Sequence, residues 1–230
     1  MLIGPQNLVI QLTEVRSRIK HAIRTAGRDP SSVTLVAVSK SKPAELIREA
    51  AGLGIRDFGE NYVQEASGKI EALCDLDLNW HFIGAIQSNK TRLVAEKFTW
   101  VHSVDRLKVA QRLSEQRPFH APALNICIQV ALVAEENKGG VDPAGLPELA
   151  ARIGELPRLK LRGLMCLPPI LEDAAARRPV FERMARLRED LNESGMKLDT
   201  LSMGMSDDFE LAIGAGATMV RIGSAIFGSR

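Results

Sequence analysis

Lys40 is the residue whose placement most suggests chemistry. It directly follows Leu35-Val36-Ala37-Val38-Ser39, a short apolar run of β-branched character. An amine at the end of a buried strand, in partly dry surroundings, is a candidate nucleophile able to form a Schiff base. A solvated surface lysine or a structural ion pair is the competing reading. Lys42, one step further into the loop and expected to be more exposed, is the competing lysine. Two glycine-serine turns could hold an anion: Gly204-Met205-Ser206-Asp207 ahead of a helical stretch, and Gly223-Ser224 near the end of the sequence. Backbone N–H groups at such turns donate readily to phosphate. Ser206 or Asp207 acting only as a helix N-cap is the alternative. Arg221 lies just before Gly223 in an apolar run. A buried arginine needs an acceptor, either an internal carboxylate or a ligand heteroatom.

Other polar residues carry weaker signals. The histidines, His21, His81, His102 and His120, show no metal-ligand spacing. His81 and His102 fall within strand-like runs and read as core or loop-anchoring side chains. Glu60 and Asp57 could serve as acid and base, but nothing pairs them with a nucleophile. Cys74, Cys127 and Cys166 are scattered and odd in number, and read as buried small hydrophobes in a reducing compartment. Met165, Met203 and Met205 read as core or rim packing.

These residues fall at the ends of regularly alternating elements. Leu8, Leu12, Val15 and Ile19 follow the helical period, and Gly27 then Pro30 supply a stop. Beyond Leu35–Val38, strand-like runs occur near Phe58, at His81–Ile83, Trp100–His102, Ile126–Val130, Leu161–Met165, Leu201–Met203 and Met219–Ile222. Helical patterns separate them: Ala44–Leu53, Tyr62–Leu73, Lys90–Phe98, Arg106–Gln116, Leu146–Leu156, Ala174–Glu193 and Phe209–Ala215. Only the last strand lacks a convincing helix after it. Alternation implies a parallel sheet, and runs apolar throughout imply strands buried on both faces. The predicted fold is α/β: a single-domain (β/α)8 TIM barrel over residues 1–230, with an extra N-terminal helix over 1–27 packed on it. An open doubly wound sheet is the rival. In a barrel the C-terminal strand ends form the active mouth, which gathers Lys40, Ser206, Arg221, Gly223 and Ser224.

Composition narrows the function classes. The chain has 230 residues, 45% hydrophobic and 25% charged, so it is not a disordered chain. A net charge of +2 and only 4% aromatics give no reason to expect a nucleic-acid partner. No basic, then apolar leader opens the sequence, and no run approaches the ~18 apolar residues of a membrane span. A cytoplasmic protein without a membrane partner is expected.

Several long segments occur in the order of one family. They are Leu35-Val36-Ala37-Val38-Ser39-Lys40, Phe58-Gly59-Glu60-Asn61-Tyr62-Val63-Gln64-Glu65, Trp80-His81-Phe82-Ile83-Gly84 with Gln87-Ser88-Asn89-Lys90, and His102-Ser103-Val104-Asp105-Arg106. They continue with Leu161-Arg162-Gly163-Leu164-Met165, Leu201-Ser202-Met203-Gly204-Met205-Ser206 and Val220-Arg221-Ile222-Gly223-Ser224-Ala225-Ile226-Phe227-Gly228. From about Val33 onward the sequence resembles the pyridoxal 5′-phosphate (PLP) homeostasis proteins, single-domain relatives of the alanine racemase barrel. It departs from their pattern at Ala131, Ile86 and Cys166, while Lys138 and Gly140 keep the usual spacing.

The resemblance implies PLP as cofactor, bound as an aldimine on Lys40. It puts the phosphate on Ser206, Gly223 and Ser224, sets Arg221 against the pyridine nitrogen, and adds Asn61 to the cofactor-binding set. An arginine stays protonated, so the ring nitrogen stays unprotonated and the ring is a poor electron sink. The implied role is intracellular PLP homeostasis, storing or delivering the cofactor without dedicated turnover. Amino acids and recipient apoenzymes are the possible partners, and a monomer is expected. The alternative is a small PLP-dependent amino-acid racemase, which needs an acid-base group on each face of the substrate. In the two-domain racemases the second is a tyrosine from another domain of the partner subunit. The sequence stops soon after the last strand, and its one tyrosine is Tyr62. A barrel aldolase fits the strand pattern but not the motifs.

Overall fold

A computed structural model describes residues 5–132, 139–168 and 174–228. Eight parallel strands close a barrel in sequence order: β1 (Thr34–Val38), β2 (Asp57–Glu60), β3 (Asn79–Phe82), β4 (Trp100–Val104), β5 (Leu124–Gln129), β6 (Leu159–Met165), β7 (Thr200–Ser202) and β8 (Met219–Ile222). The seam joins β1 to β8, with Val36 opposite Arg221 and Ala37 opposite Ile222. That register brings the loop carrying Lys40 beside the loop carrying Gly223 and Ser224. The predicted fold class is therefore the observed one, and the open-sheet rival fails because β1 and β8 are paired.

The helices are α1 (Pro5–Thr25), α2 (Ala44–Gly52), α3 (Val63–Ala72), α4 (Thr91–Lys97), α5 (Leu107–Gln116), α6 (Leu146–Gly154), α7 (Arg178–Glu193), α8 (Phe209–Gly214) and α9 (Ser224–Phe227). Most of the apolar core lies between this ring and the strands, as amphipathic helices require. Leu8, Leu12, Val15 and Ile19 form the buried stripe of α1, which packs against α8 and α9. Arg18 bonds Glu210 at 2.6 Å, and Arg28 donates to the carbonyls of Ile213 and Ala217.

Some expectations need correction. The last strand does have a helix after it, the short α9. The helical pattern from Lys90 begins as a 3-10 turn at Ser88–Lys90, and the one from Ala174 runs through a 3-10 turn before α7 starts. Pro179 lies in the first turn of α7, where its missing N–H costs nothing. Tyr62 is the N-cap of α3, in an extended conformation, not a residue of its first turn. Cys74 is exposed, whereas Cys127 and Cys166 are buried. Burial pushes both buried thiols up to about 12, so they stay protonated and inert.

Candidate functional site

The turn after β1 is tied down on both sides of Lys40. Ser39 is fully buried, and its hydroxyl donates to Glu60 Oε1 at 2.6 Å. The Ser41 N–H donates to Glu65 Oε1 at 2.5 Å. Ser41 has a φ of 60°, a left-handed value rare outside glycine. Below the turn, Lys69 of α3 donates from Nζ to the Ser39 carbonyl at 2.8 Å, Glu60 Oε1 at 2.8 Å and Glu65 Oε1 at 2.5 Å. Burial raises the Glu60 carboxyl above its ordinary value, and the bonds from Lys69 and Ser39 pull against that rise.

Lys40 and Lys42 are both half-buried. Nζ of Lys42 donates to the carbonyls of Phe227 at 2.9 Å and Gly228 at 3.4 Å. It is therefore a tie to the C-terminal turn, not the exposed loop lysine expected from sequence. The Lys40 amine has no hydrogen-bond or ion-pair partner among the described residues.

Arg221 is buried in the barrel. Its acceptors are the Ser202 hydroxyl at 2.7 Å and the Cys166 carbonyl at 2.9 Å, not a carboxylate. A chain of hydrogen bonds continues from there. Ser202 Oγ lies 2.7 Å from His102 Nδ1, His102 Nε2 lies 2.9 Å from His81 Nδ1, and His81 Nε2 lies 3.0 Å from Asp57 Oδ1. The Asp57 carboxylate accepts, so His81 donates to it from Nε2. With both imidazoles neutral, His81 Nδ1 accepts from His102 Nε2, and the Ser202 hydroxyl, which accepts from Arg221, donates to His102 Nδ1. Burial lowers the pKa of His81, and it lowers that of His102 well below the usual range with help from His81 and Arg221. Asp57 begins β2 and Glu60 ends it, so they face opposite ends of the barrel and form no acid-base pair.

The loops after β7 and β8 touch. The Ala225 N–H donates to Ser206 Oγ at 3.4 Å, which places Ser206 beside Gly223 and Ser224. Asp208, not Ser206 or Asp207, is the N-cap of α8. Its buried carboxylate accepts from the Met205 N–H at 2.7 Å and from Arg177 at 2.8 Å, anchoring the loop from below. Across the mouth, Asn61 lines a 390 Å³ cavity with Tyr62, Gly84 and Gln87. Its Oδ1 is buried with no partner among the described residues. No described hydrogen bond links Asn61 to the Ser206 side.

Lys69 and the histidine chain are what sequence reasoning missed. Lys69 sits mid-helix with no flanking motif. The only clue was its spacing from Glu65, a helical i,i+4 pair. Lys138 lies outside the described residues.

The barrel and its mouth define a class: single-domain barrels built like the N-terminal domain of alanine racemase. The family model of that domain matches residues 10–230. Pyridoxal phosphate homeostasis protein of Pseudomonas aeruginosa is 59% identical over 219 residues, covering 95% of this chain and 94% of its own. The protein of the same name from Escherichia coli K12 is 51% identical over 222 residues, covering 95% of each chain. PipY of Synechococcus elongatus, solved with PLP bound, superposes with a TM-score of 0.85 at 39% identity, over 96% of this chain and 100% of its own. Alanine racemase from Corynebacterium glutamicum, at 16% identity and a TM-score of 0.64 over 92% of this chain and 59% of its own, shares the fold alone. The chain belongs to the family of pyridoxal phosphate homeostasis proteins.

Proposed function

We propose that this protein binds PLP at the barrel mouth and serves its homeostasis, holding the cofactor for storage or delivery without dedicated turnover. The observation that carries this is the free amine of Lys40, at the mouth end of β1, beside a Lys42 already committed to two carbonyls. Lys40 would hold an aldehyde cofactor, which when bound would supply a carbonyl electrophile for that amine. The other residues fit the group. Arg221 uses two N–H groups on Ser202 and Cys166, and the rest of its fork suits the ring nitrogen. The hydroxyls of Ser206 and Ser224, with the N–H groups around Gly223, suit the phosphate. The orphaned Oδ1 of Asn61 offers a further acceptor at the mouth. The names of the relatives and the PLP bound to PipY support the same reading.

Two features favour a carrier over a racemase. Arg221 disfavours protonation of the ring nitrogen, which weakens the electron sink that carbanion chemistry needs. Tyr62 is 55% exposed and makes no hydrogen bond among the described residues, so nothing holds it as an opposing base. We assign the protein to the cytoplasm as a monomer, with PLP, amino acids and recipient apoenzymes as transient partners. Among the described residues, no helix is long and apolar enough to cross a membrane.

The test is an absorbance spectrum of the PLP-loaded protein before and after borohydride, followed by peptide mapping. The label is expected on Lys40, and Lys40→Ala is expected to lose the visible band. A label on Lys42 with Lys40 untouched rejects the assignment.

A further inference from the structure

Three lysines, Lys40, Lys42 and Lys69, converge on one turn, and of these only the Lys40 amine has no hydrogen-bond or ion-pair partner among the described residues. Lys69 is 7% exposed, and its ammonium donates three hydrogen bonds. Such an ammonium is saturated, with all three donors used. One of its bonds reaches the backbone of the turn itself, at the Ser39 carbonyl. The same carbonyl accepts the Lys42 N–H at 3.0 Å, which closes the turn around Lys40. Glu60, reached by Lys69, holds the Ser39 hydroxyl, and Glu65, also reached by Lys69, holds the Ser41 N–H. Ser41 keeps a left-handed φ of 60°, a conformation that persists in a serine only when its surroundings over-determine it. Every side-chain hydrogen bond from α3 and β2 to the turn therefore runs through Lys69 or a carboxylate that Lys69 holds, beside the backbone bond from the Ser39 N–H to the Gly59 carbonyl of β2 at 3.0 Å.

We propose that Lys69, with Glu60 and Glu65, is a positioning device that sets the Ser39–Lys40–Ser41 turn and so presents the Lys40 amine at the barrel mouth. Lys69 does not itself react. Without it, Glu60 and Glu65 repel each other and release both sides of the turn. Ser41 then relaxes from its left-handed conformation, and the Lys40 amine samples orientations away from the mouth. What Lys40 meets there rests on the PLP reading above, but the state of the turn can be measured without the cofactor.

The experiment compares the cofactor-free full chain with Lys69→Met, Lys69→Arg and Glu65→Ala. Amide exchange at Ser41 is read by NMR. The pH profile of Lys40 labelling by fluorodinitrobenzene is read by mass spectrometry, and PLP affinity by titration. In Lys69→Met, Ser41 exchange is expected to rise about tenfold or more and PLP affinity to fall by a similar factor, as expected for losing charged hydrogen bonds. The Lys40 labelling profile should shift, Glu65→Ala should follow in the same direction, and Lys69→Arg should recover part of the effect. Folded variants with wild-type Ser41 exchange overturn the proposal. So does faster Ser41 exchange with unchanged Lys40 labelling and PLP affinity. If Lys69→Met does not fold, Glu65→Ala decides, since the Glu65 side chain is 30% exposed and its loss is tolerable. If the wild type takes up no PLP on Lys40, the functional reading fails, while Ser41 exchange and Lys40 labelling still judge the positioning device.

Discussion

Lys40, Lys42 and Lys69 carry the same side chain and meet three different environments: Lys42 and Lys69 donate to carbonyls and carboxylates, while the Lys40 amine has no partner among the described residues. The proposed phosphate side has the same logic in reverse, since hydroxyls and N–H groups are useful where the fold leaves them open to a ligand. Ser206→Ala is expected to weaken PLP binding by about 1.5–3 kcal/mol, the range for a hydrogen bond to a charged group. Pyridoxal lacking the phosphate should bind far more weakly than PLP in the same titration. Equal affinity for the two would remove Ser206 and Ser224 from the site. The buried histidines make a separate prediction. His81 and His102 have lowered pKa values, so the native chain keeps them neutral. Above an ordinary imidazole pKa of about 6.5 neither state binds their protons and they add no pH dependence. Below it the unfolded chain gains protons that the native chain refuses, so stability falls as pH falls, by up to about 1.4 kcal/mol per unit per histidine. Glu60 acts with the opposite sign: its raised pKa means the native form holds its proton as pH climbs from about 4.3, so its contribution is greatest in acid. Urea titrations between pH 7.5 and 5.5 should show the histidine slope, and His102→Gln should flatten it. An unchanged slope in that variant would contradict the neutral relay.

At the scale of elements, the strands are short and close only because neighbouring backbones approach tightly. Gly163 of β6 shows the requirement: a Cβ there would lie 1.8 Å from the Thr200 carbonyl oxygen of β7. The obstacle is backbone, so neither partner can swing aside. Gly163→Ala is expected to cost about 3 kcal/mol or more by equilibrium unfolding and to loosen the β6–β7 pair, the upper end of overpacking penalties. A loss below about 1 kcal/mol would mean that the strands separate more easily than this register implies. The elements themselves were largely legible in the sequence, because apolar runs bounded by polar turns and helical periods survive as local patterns. Their starts were less so. The 3-10 turns before α4 and α7, and Tyr62 as a cap, depend on hydrogen bonds that only the folded loop selects. The helix after β8 is four residues long, too short to leave a periodic signal.

For the whole molecule, the interior is the unusual feature. Barrel cores of this kind are mostly filled by branched apolar side chains. Here a small cluster of Val36, Trp100, Cys127, Met165 and Met219 shares the barrel with the buried chain from Arg221 through Ser202, His102 and His81. His81 also stacks on Trp100, with ring centroids 5.6 Å apart. In the proposed function the hydrogen-bonded guanidinium of Arg221 binds a cofactor and does not drive its chemistry. Incubation of the PLP-loaded protein with L-alanine in deuterated water, followed by chiral analysis and measurement of α-deuterium, is expected to show slow exchange of PLP and no efficient racemisation, transamination or decarboxylation. Turnover near the ~1–10³ s⁻¹ of typical enzymes, lost in Lys40→Ala or Tyr62→Phe, would replace the carrier with the racemase.

The sequence by itself determined the eight-fold alternation, the barrel class, the family, and the residues Lys40, Ser206, Arg221, Gly223 and Ser224 as those at strand ends. Each of these is written locally, in a period, a turn or a contiguous motif. Only the tertiary structure tied Lys42 to the Phe227 and Gly228 carbonyls, separated Asp57 from Glu60, brought Ser206 against Ala225, and joined Lys69 to the turn after β1. Those outcomes depend on which atoms meet across the barrel. Ser202 lies 100 positions from His102, and Lys69 lies 30 from Ser39. A hydrogen bond between residues so far apart leaves no periodic mark in the sequence, because closure of the sheet, not spacing along the chain, creates the pairing.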